Sequence, residues 1–317
     1  MHSLPKLVTT RTIIRFVVAA LLCSPAPKLS AQMATVADRR AAECPSCAEW
    51  NAPHDPVRIF GNVYYVGTNG LSALLITSPE GHVLLDGGLP ESAPLIMANI
   101  RKLGFHVEDI ELIVNSHVHF DHAGGIAALQ RASGARVVAS ASSVIALRNG
   151  ASGRDDPQFG VILPYEPVSD VHEFSDGVPL RVGPITITPH ITAGHTPGGT
   201  TWIWRTCEPH RCIDMVYADS QTPISADDFF FTHTTTYPSA VRDFQHGHAL
   251  IEQLPCDLLI TPHPSATSLW ERIAVRDRGN SAPLIDATGC KRFAANARQQ
   301  LNTRLATENA KREPNRR

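Results

Sequence analysis

Ser116-His117-Val118-His119-Phe120-Asp121-His122-Ala123-Gly124-Gly125 is the stretch on which the reading of this chain turns. Upstream, Ile110–Val114 is a continuous apolar run that reads as a buried strand, and downstream Ile126 and Leu129 continue a helix after the glycine pair. In extended backbone alternate side chains point the same way, so His117, His119 and Asp121 share one face just past the strand end. His122 breaks that period and can point elsewhere as the chain turns into the helix. Four imidazole and carboxylate donors within six residues suit zinc, which prefers these ligands. A lone histidine is more often a satisfied core or surface residue, but a cluster this dense is not.

Working outward, two further segments complete a ligand set. Ala193-Gly194-His195-Thr196-Pro197-Gly198-Gly199-Thr200 presents one histidine on a turn that Gly and Pro fix. Thr261-Pro262-His263-Pro264-Ser265 places another directly after the apolar run Leu258–Ile260. Histidines at strand ends, held by prolines, suit a preorganised site. Around them β and α signals alternate. Val57–Val66, Leu71–Ser78 and His82–Asp86 are short β-branched runs separated by turn residues, and Pro90–Gly104 carries Leu95, Ile96, Ile100 and Leu103 on one helical face. Strand signals recur at Ala135–Ala139, Ile185–Thr188, Thr201–Trp204, Met215–Tyr217 and Asp257–Ile260. Phe293–Glu308 reads as a polar helix and 308–317 as a frayed tail. No low-complexity linker divides the chain after residue 32, so 32–317 reads as a single α/β domain.

Composition agrees with a globular protein: 317 residues, 43% hydrophobic and 18% charged, with a formal net charge of −2. That charge leaves no basic excess for phosphates and argues against nucleic acid as a partner. Residues 1–31 hold Lys6, Arg11, Arg15 and Lys28, no acid, and the apolar run Phe16–Leu22, which together read as a secretory signal peptide. The run is far short of the roughly 20 residues that span a bilayer, so no membrane association is expected after cleavage. A lipid anchor through Cys23 is the lesser reading, because Leu22 is bulky where a small residue is expected. Cleavage removes 4 of 28 basic residues and leaves 24 against 30 acidic, a formal charge of −6.

Export also bears on the cysteines. Cys23 leaves with the signal; Cys44, Cys47, Cys207, Cys212, Cys256 and Cys290 remain, an even number in an oxidising compartment. Cys207 and Cys212 flank Glu-Pro-His-Arg between two strand-like stretches, where a bridge would staple a hairpin tip. Cys256 and Cys290 could then tie the C-terminal helical region to the last strand. Cys44 and Cys47 form a CxxC outside any βαβ context, which favours a local disulfide or free thiols over redox chemistry.

Through His117-x-His119-x-Asp121-His122 the chain resembles the metallo-β-lactamase superfamily. Through Ala193–Thr200, Tyr217-Ala218-Asp219-Ser220 and Thr261–Ser265 it is similar to the subclass B3 metallo-β-lactamases. The resemblance implies an αββα sandwich with two Zn2+ ions at one edge of the paired sheets. It assigns one zinc to His117, His119 and His195 and the other to Asp121, His122 and His263, and it favours a Cys256–Cys290 bridge. Related enzymes outside B3 place a cysteine on the second metal; here Ser220 stands at that position and His122 takes over. The implied activity is hydrolysis of β-lactam antibiotics, hence antibiotic resistance, by a periplasmic monomer. Zinc lowers the pKa of a bound water to about 7, and the resulting hydroxide attacks the strained ring carbonyl. Asp121 would orient that hydroxide.

Ser220 and Thr222, two apart on a strand-end loop, could hydrogen-bond a substrate carboxylate, as hydroxyls at the matching B3 positions are thought to do. Gln158 matches a loop glutamine over the site in some members and is taken as a rim residue. His246 and His248 form another HxH, but within a helix-like Val241–Leu254 they face nearly opposite ways and read as solvated. Asp86, ending the strand Val83–Leu85, reads as a partner behind the ligands or as a turn cap, the former slightly favoured. Asp219 keeps a rival alive, since an aspartate near this position bridges both metals in glyoxalase-like members. That rival is an exported lactonase or thioester hydrolase of the same superfamily. A non-catalytic zinc-binding protein is the remaining alternative; it would need filled coordination shells.

Overall fold

In the computed structural model, residues 44–280 and 283–312 are described; the expected signal at 1–31 and the last five residues lie outside them. The described residues begin with α1 (Cys47–Trp50) and then build a seven-stranded sheet. In spatial order this runs β1 (Val57–Phe60), β2 (Val63–Tyr65), β3 (Leu74–Ile76), β4 (His82–Leu85), β5 (Ile110–Val114), β6 (Arg136–Ala139) and β7 (Val171–Glu173). The first four pair antiparallel, as short turns allow. From β4 to β7 the pairing is parallel, because α2 (Ala93–Lys102), α4 (Ile126–Ser133) and α5 (Ala141–Asn149) carry the chain back each time. The single turn α3 (Phe120–Ala123) precedes α4.

The second sheet has five strands in the order β12 (Leu258–Ile260), β11 (Arg211–Tyr217), β10 (Thr200–Glu208), β9 (Ile185–Ile191), β8 (Leu180–Val182). Only β11 and β12 are parallel, joined through α6 (Ala240–Gln253). Helices α7 (Leu269–Asp277) and α8 (Gly289–Arg312) follow.

The two sheets pack face to face. Val63, Leu74, Val83, Leu85, Leu112 and Val114 from one meet Ile187, Trp202, Trp204, Met215, Tyr217 and Ile260 from the other in one buried cluster. The alternating residues Leu75, Leu84, Ile113 and Val137 face outward against Ile96, Ile100, Leu129 and Leu147 of the helices. Beyond the second sheet, Val216 and Leu259 pack with Ile251 and Ala294. Strands buried on both faces are mostly apolar, which is why β3 and Val83–Leu85 of β4 read as continuous runs rather than alternations. The layers are α, β, β, α, as the resemblance implies.

The sequence understates several elements. Val57–Val66 is not one strand but the β1–β2 pair, broken at Gly61-Asn62. Strands β10 and β11 run on to a tip where Cys207 and Cys212 face each other and are bridged. Cys256–Cys290 is also formed, and Cys44–Cys47 is a local disulfide rather than two free thiols. Helices α5 and α7 and strands β7 and β8 lie where no element is expected. The tail does not begin at 308: α8 continues to Arg312, because buried Glu308 accepts from the N–H groups of Phe231 and Thr232 and from Arg304. His248 is not solvated either. It turns inward from α6 beside Phe244, fully buried, and burial pushes its pKa down to about 4.

Candidate metal centre

The segments that carry the histidines meet at one edge of the paired sheets. The chain after β5 supplies His117 and His119, α3 supplies Asp121 and His122, the β9–β10 connection supplies His195, and the chain after β12 supplies His263. Strand ends suit this purpose: the ladders fix the backbone up to the last pair, and the residues that follow project from that fixed frame.

Two donor groups result. The rings of His117, His119 and His195 form a near-equilateral triangle with centroids 4.8, 4.9 and 4.9 Å apart, and their ligand atoms lie within 4.8 Å of one another. Beside them, His122 Nε2 lies 3.2 Å from His263 Nε2, and Asp121 Oδ2 is 3.2 Å from the former and 3.3 Å from the latter. Donors on a tetrahedral ion with 2.0–2.1 Å bonds stand about 3.3 Å apart. Two imidazole nitrogens and a carboxylate oxygen at that spacing fit a zinc-sized cation. The two groups adjoin, with the His117 and His122 rings 4.4 Å apart.

The outer nitrogen of four of the five rings is held by the protein. His117 Nδ1 donates to Asp219 Oδ1 at 2.8 Å, His119 Nε2 to Asp156 Oδ2 at 3.0 Å, and His195 Nδ1 to the Thr222 carbonyl at 2.8 Å. His263 Nδ1 lies 3.2 Å from the Gly70 carbonyl. Pinning one nitrogen as a donor leaves the second nitrogen's lone pair turned inward, the tautomer a metal requires. Behind His122 sits Asp86, its Oδ2 3.9 Å from Nδ1, too far for a hydrogen bond. Asp86 adopts a left-handed backbone (φ 62) and accepts from Ser116 N, Ser116 Oγ and Tyr217 Oη at 2.6, 2.6 and 2.7 Å, and from Asn115 Nδ2 at 3.1 Å.

Electrostatics match these roles. Burial, then the neighbouring imidazoles, lowers the His117 pKa well below that of a free imidazole, and burial with His119 lowers His195 to about 3. Both rings are therefore neutral near pH 7, with lone pairs available. Burial alone would raise Asp121, but His122 and His263 outweigh it and hold the carboxyl well below the usual carboxylate range.

All six sequence-identified donors thus converge. Asp219 stands behind His117 rather than between the two donor groups, with its Oδ2 against Gly199. Ser220 and Thr222 are half-buried on the loop after β11, and Thr222 reaches the site through its carbonyl. Gln158, also half-buried, donates its backbone N–H to Asp156 Oδ1 at 2.8 Å. Sequence reasoning missed Asp156; the signal available was the Asp156-Pro157-Gln158 turn, in which a side-chain oxygen caps the backbone two residues on.

Residues 66–275 match the family model for the metallo-beta-lactamase superfamily. Among solved structures, the chain is 50% identical to the Rm3 metallo-beta-lactamase, with a TM-score of 0.82 over 84% of this chain and 99% of that one. To MEM-A1, a subclass B3 metallo-beta-lactamase from a soil metagenome library, identity is 46% and the TM-score 0.81, over 83% and 100%. Among curated proteins, an N-acyl homoserine lactonase of Bacillus cereus is 28% identical over 153 residues, 39% of this chain and 54% of that protein. The chain thus spans about half the length of that curated relative. With this fold, this ligand arrangement and these matches, the chain belongs to the metallo-β-lactamase superfamily and, within it, to the subclass B3 enzymes.

Proposed function

We propose that the protein is an exported, monomeric, two-zinc hydrolase that opens β-lactam rings in the periplasm and so gives antibiotic resistance. The observation that carries the reading is the convergence of Asp121 and five histidines whose outer nitrogens are, apart from that of His122, held by carbonyls or carboxylates. His117, His119 and His195 hold one ion, and Asp121, His122 and His263 the other. Bound zinc supplies Lewis acidity, polarising the ring carbonyl and bringing the pKa of a water down towards 7.

The chain's own residues do the rest. Asp121, kept ionised by His122 and His263, orients the attacking water. Three protein donors per ion leave room for water and substrate, which separates a catalyst from a storage site. Ser220 and Thr222 bind the substrate carboxylate through their hydroxyls, and Gln158 borders the cleft. Three disulfides support passage through an oxidising compartment.

The lactonase reading draws on the match to N-acyl homoserine lactonases. The placement of Asp219 behind His117 speaks against it, since an aspartate that bridges two metals must stand between them. One panel separates the two: a carbapenem, a penicillin, an acyl homoserine lactone and a glutathione thioester, each with and without chelator, with zinc counted on the mature chain. Chelator-sensitive β-lactam turnover with two zinc equivalents is expected. Lactone or thioester cleavage without β-lactam turnover would overturn the assignment.

A further inference from the structure

His263 is the histidine of the five that the core holds least: its side chain is 27% exposed, against 5% or less for the others. A neighbouring turn orients it. The Gly70 carbonyl meets its Nδ1, and the Trp50 ring lies 5.0 Å from the imidazole, centroid to centroid. That turn is itself held from two sides. Gly70 N and Thr68 Oγ1 both donate to the Trp50 carbonyl, at 3.0 and 2.7 Å, and Asn69 N donates to the Ala52 carbonyl at 2.9 Å. From the opposite side the Trp270 indole donates to the Asn69 carbonyl at 2.8 Å. The fit is tight: a Cβ on Gly70 would lie 2.7 Å from both Cα and Cδ1 of Trp50.

Trp50 in turn depends on α1, a four-residue turn too short to persist unaided. The Cys44–Cys47 disulfide closes the turn that leads into it, and Cys47 N donates to the Cys44 carbonyl at 3.1 Å. We propose that this disulfide-closed turn is a clamp that positions His263 as a ligand, acting through Trp50 and the Gly70 carbonyl; the inference rests on the two-ion reading above. The physical basis is preorganisation. An exposed imidazole free to rotate must be ordered when metal binds, whereas one whose Nδ1 is already engaged presents Nε2 to the Asp121–His122 pair at no such cost. Trp50 and Gly70 are positioning residues, and the clamp acts on one of the two donor groups.

The test uses the mature chain loaded with zinc, comparing wild type with Trp50→Ala, Gly70→Ala and the pair Cys44→Ser/Cys47→Ser. Each equivalent's affinity is read by competition with a chromophoric chelator, and each site's geometry by Co2+ absorption. We expect one equivalent to weaken by about 10- to 100-fold, the range found when a partner of a metal-bound histidine is lost. The other equivalent should keep wild-type affinity, and Trp50→Phe should restore most of the loss. Two equivalents of unchanged affinity in Trp50→Ala and Gly70→Ala would overturn the clamp, and so would equal weakening of both. If Trp50→Ala does not fold, the near-isosteric serine pair decides by the same criteria. A wild-type chain that binds fewer than two equivalents would instead overturn the two-ion reading, a result distinguishable from failure of the clamp alone.

Discussion

Asp219 and Asp156 each direct a buried carboxylate at one imidazole nitrogen, 2.8 and 3.0 Å away, and so choose which nitrogen is left to face the centre. Removing such a partner typically weakens metal binding by about 10- to 100-fold. Asp219→Ala should therefore weaken the ion held by the His117 group while sparing the Asp121–His122–His263 group, measured as stepwise affinities under chelator competition. Gly199→Ala should reproduce part of that loss, because its new methyl group would collide with Asp219 Oδ2. Asp86 acts on the framework. Its carboxylate gathers four donors from Asn115 and Ser116 after β5 and from Tyr217 of β11, and Asp86→Ala would leave Asn115 Nδ2 and Ser116 N without that partner in the core and Ser116 Oγ and Tyr217 Oη with only longer contacts to His117 and Ser72. Each buried polar group left unpaired costs about 1–3 kcal/mol. The metal-free Asp86→Ala protein should therefore lose about 3 kcal/mol or more in urea unfolding, and no loss would show that these donors find other partners.

At the scale of elements, α8 shows how a mostly polar helix becomes part of the fold. Cys256–Cys290 ties its first turn to the chain before β12, and Glu308 ties its last turns to the 231–232 backbone and to Arg304. A cross-link enclosing 34 residues constrains the unfolded chain by about 3–4 kcal/mol on the chain-entropy account. The Cys256→Ser/Cys290→Ser protein should lose stability on that order. Burial would raise the Glu308 carboxyl, but Arg304 and the N–H groups of Thr232 and Phe231 outweigh it and depress the pKa. A depressed carboxylate contributes stability above its unfolded pKa of about 4.3 and loses it as pH falls through the folded value. The gap in melting temperature between wild type and Glu308→Gln should thus be full at pH 7 and close towards pH 3. A gap independent of pH would assign the effect to packing.

For the whole molecule, the sandwich is built before any ion is considered: its core lies between the sheets, and the donor groups sit at their edge. Chelation should lower the melting temperature, since metal binds only the folded chain, yet leave the far-ultraviolet circular dichroism unchanged. Collapse of that spectrum on chelation would mean that the fold depends on its metal. This separation explains what was legible in the chain alone. His117, His119, Asp121 and His122 announce their chemistry because four donors within six residues have little other use, and β5 and α4 announce themselves because their apolar periodicity is local. His195 and His263 were recognisable as ligands only alongside that cluster. The partners Asp156, Asp219 and Gly70 were hidden or ambiguous, because which carboxylate or carbonyl meets which ring is decided by segments that lie 37, 102 and 193 residues away. The same holds for His248, whose burial depends on the helix packed against α6, and for the Cys44–Cys47 turn, whose neighbour His263 lies at the far end of the domain. The sequence by itself determined the metal chemistry and the alternation of strand and helix, both set by residue type and short-range spacing. Only the tertiary structure decided the orientation of each ligand, because a tautomer is fixed by the atom opposite it in space, and chain separation carries no trace of that contact.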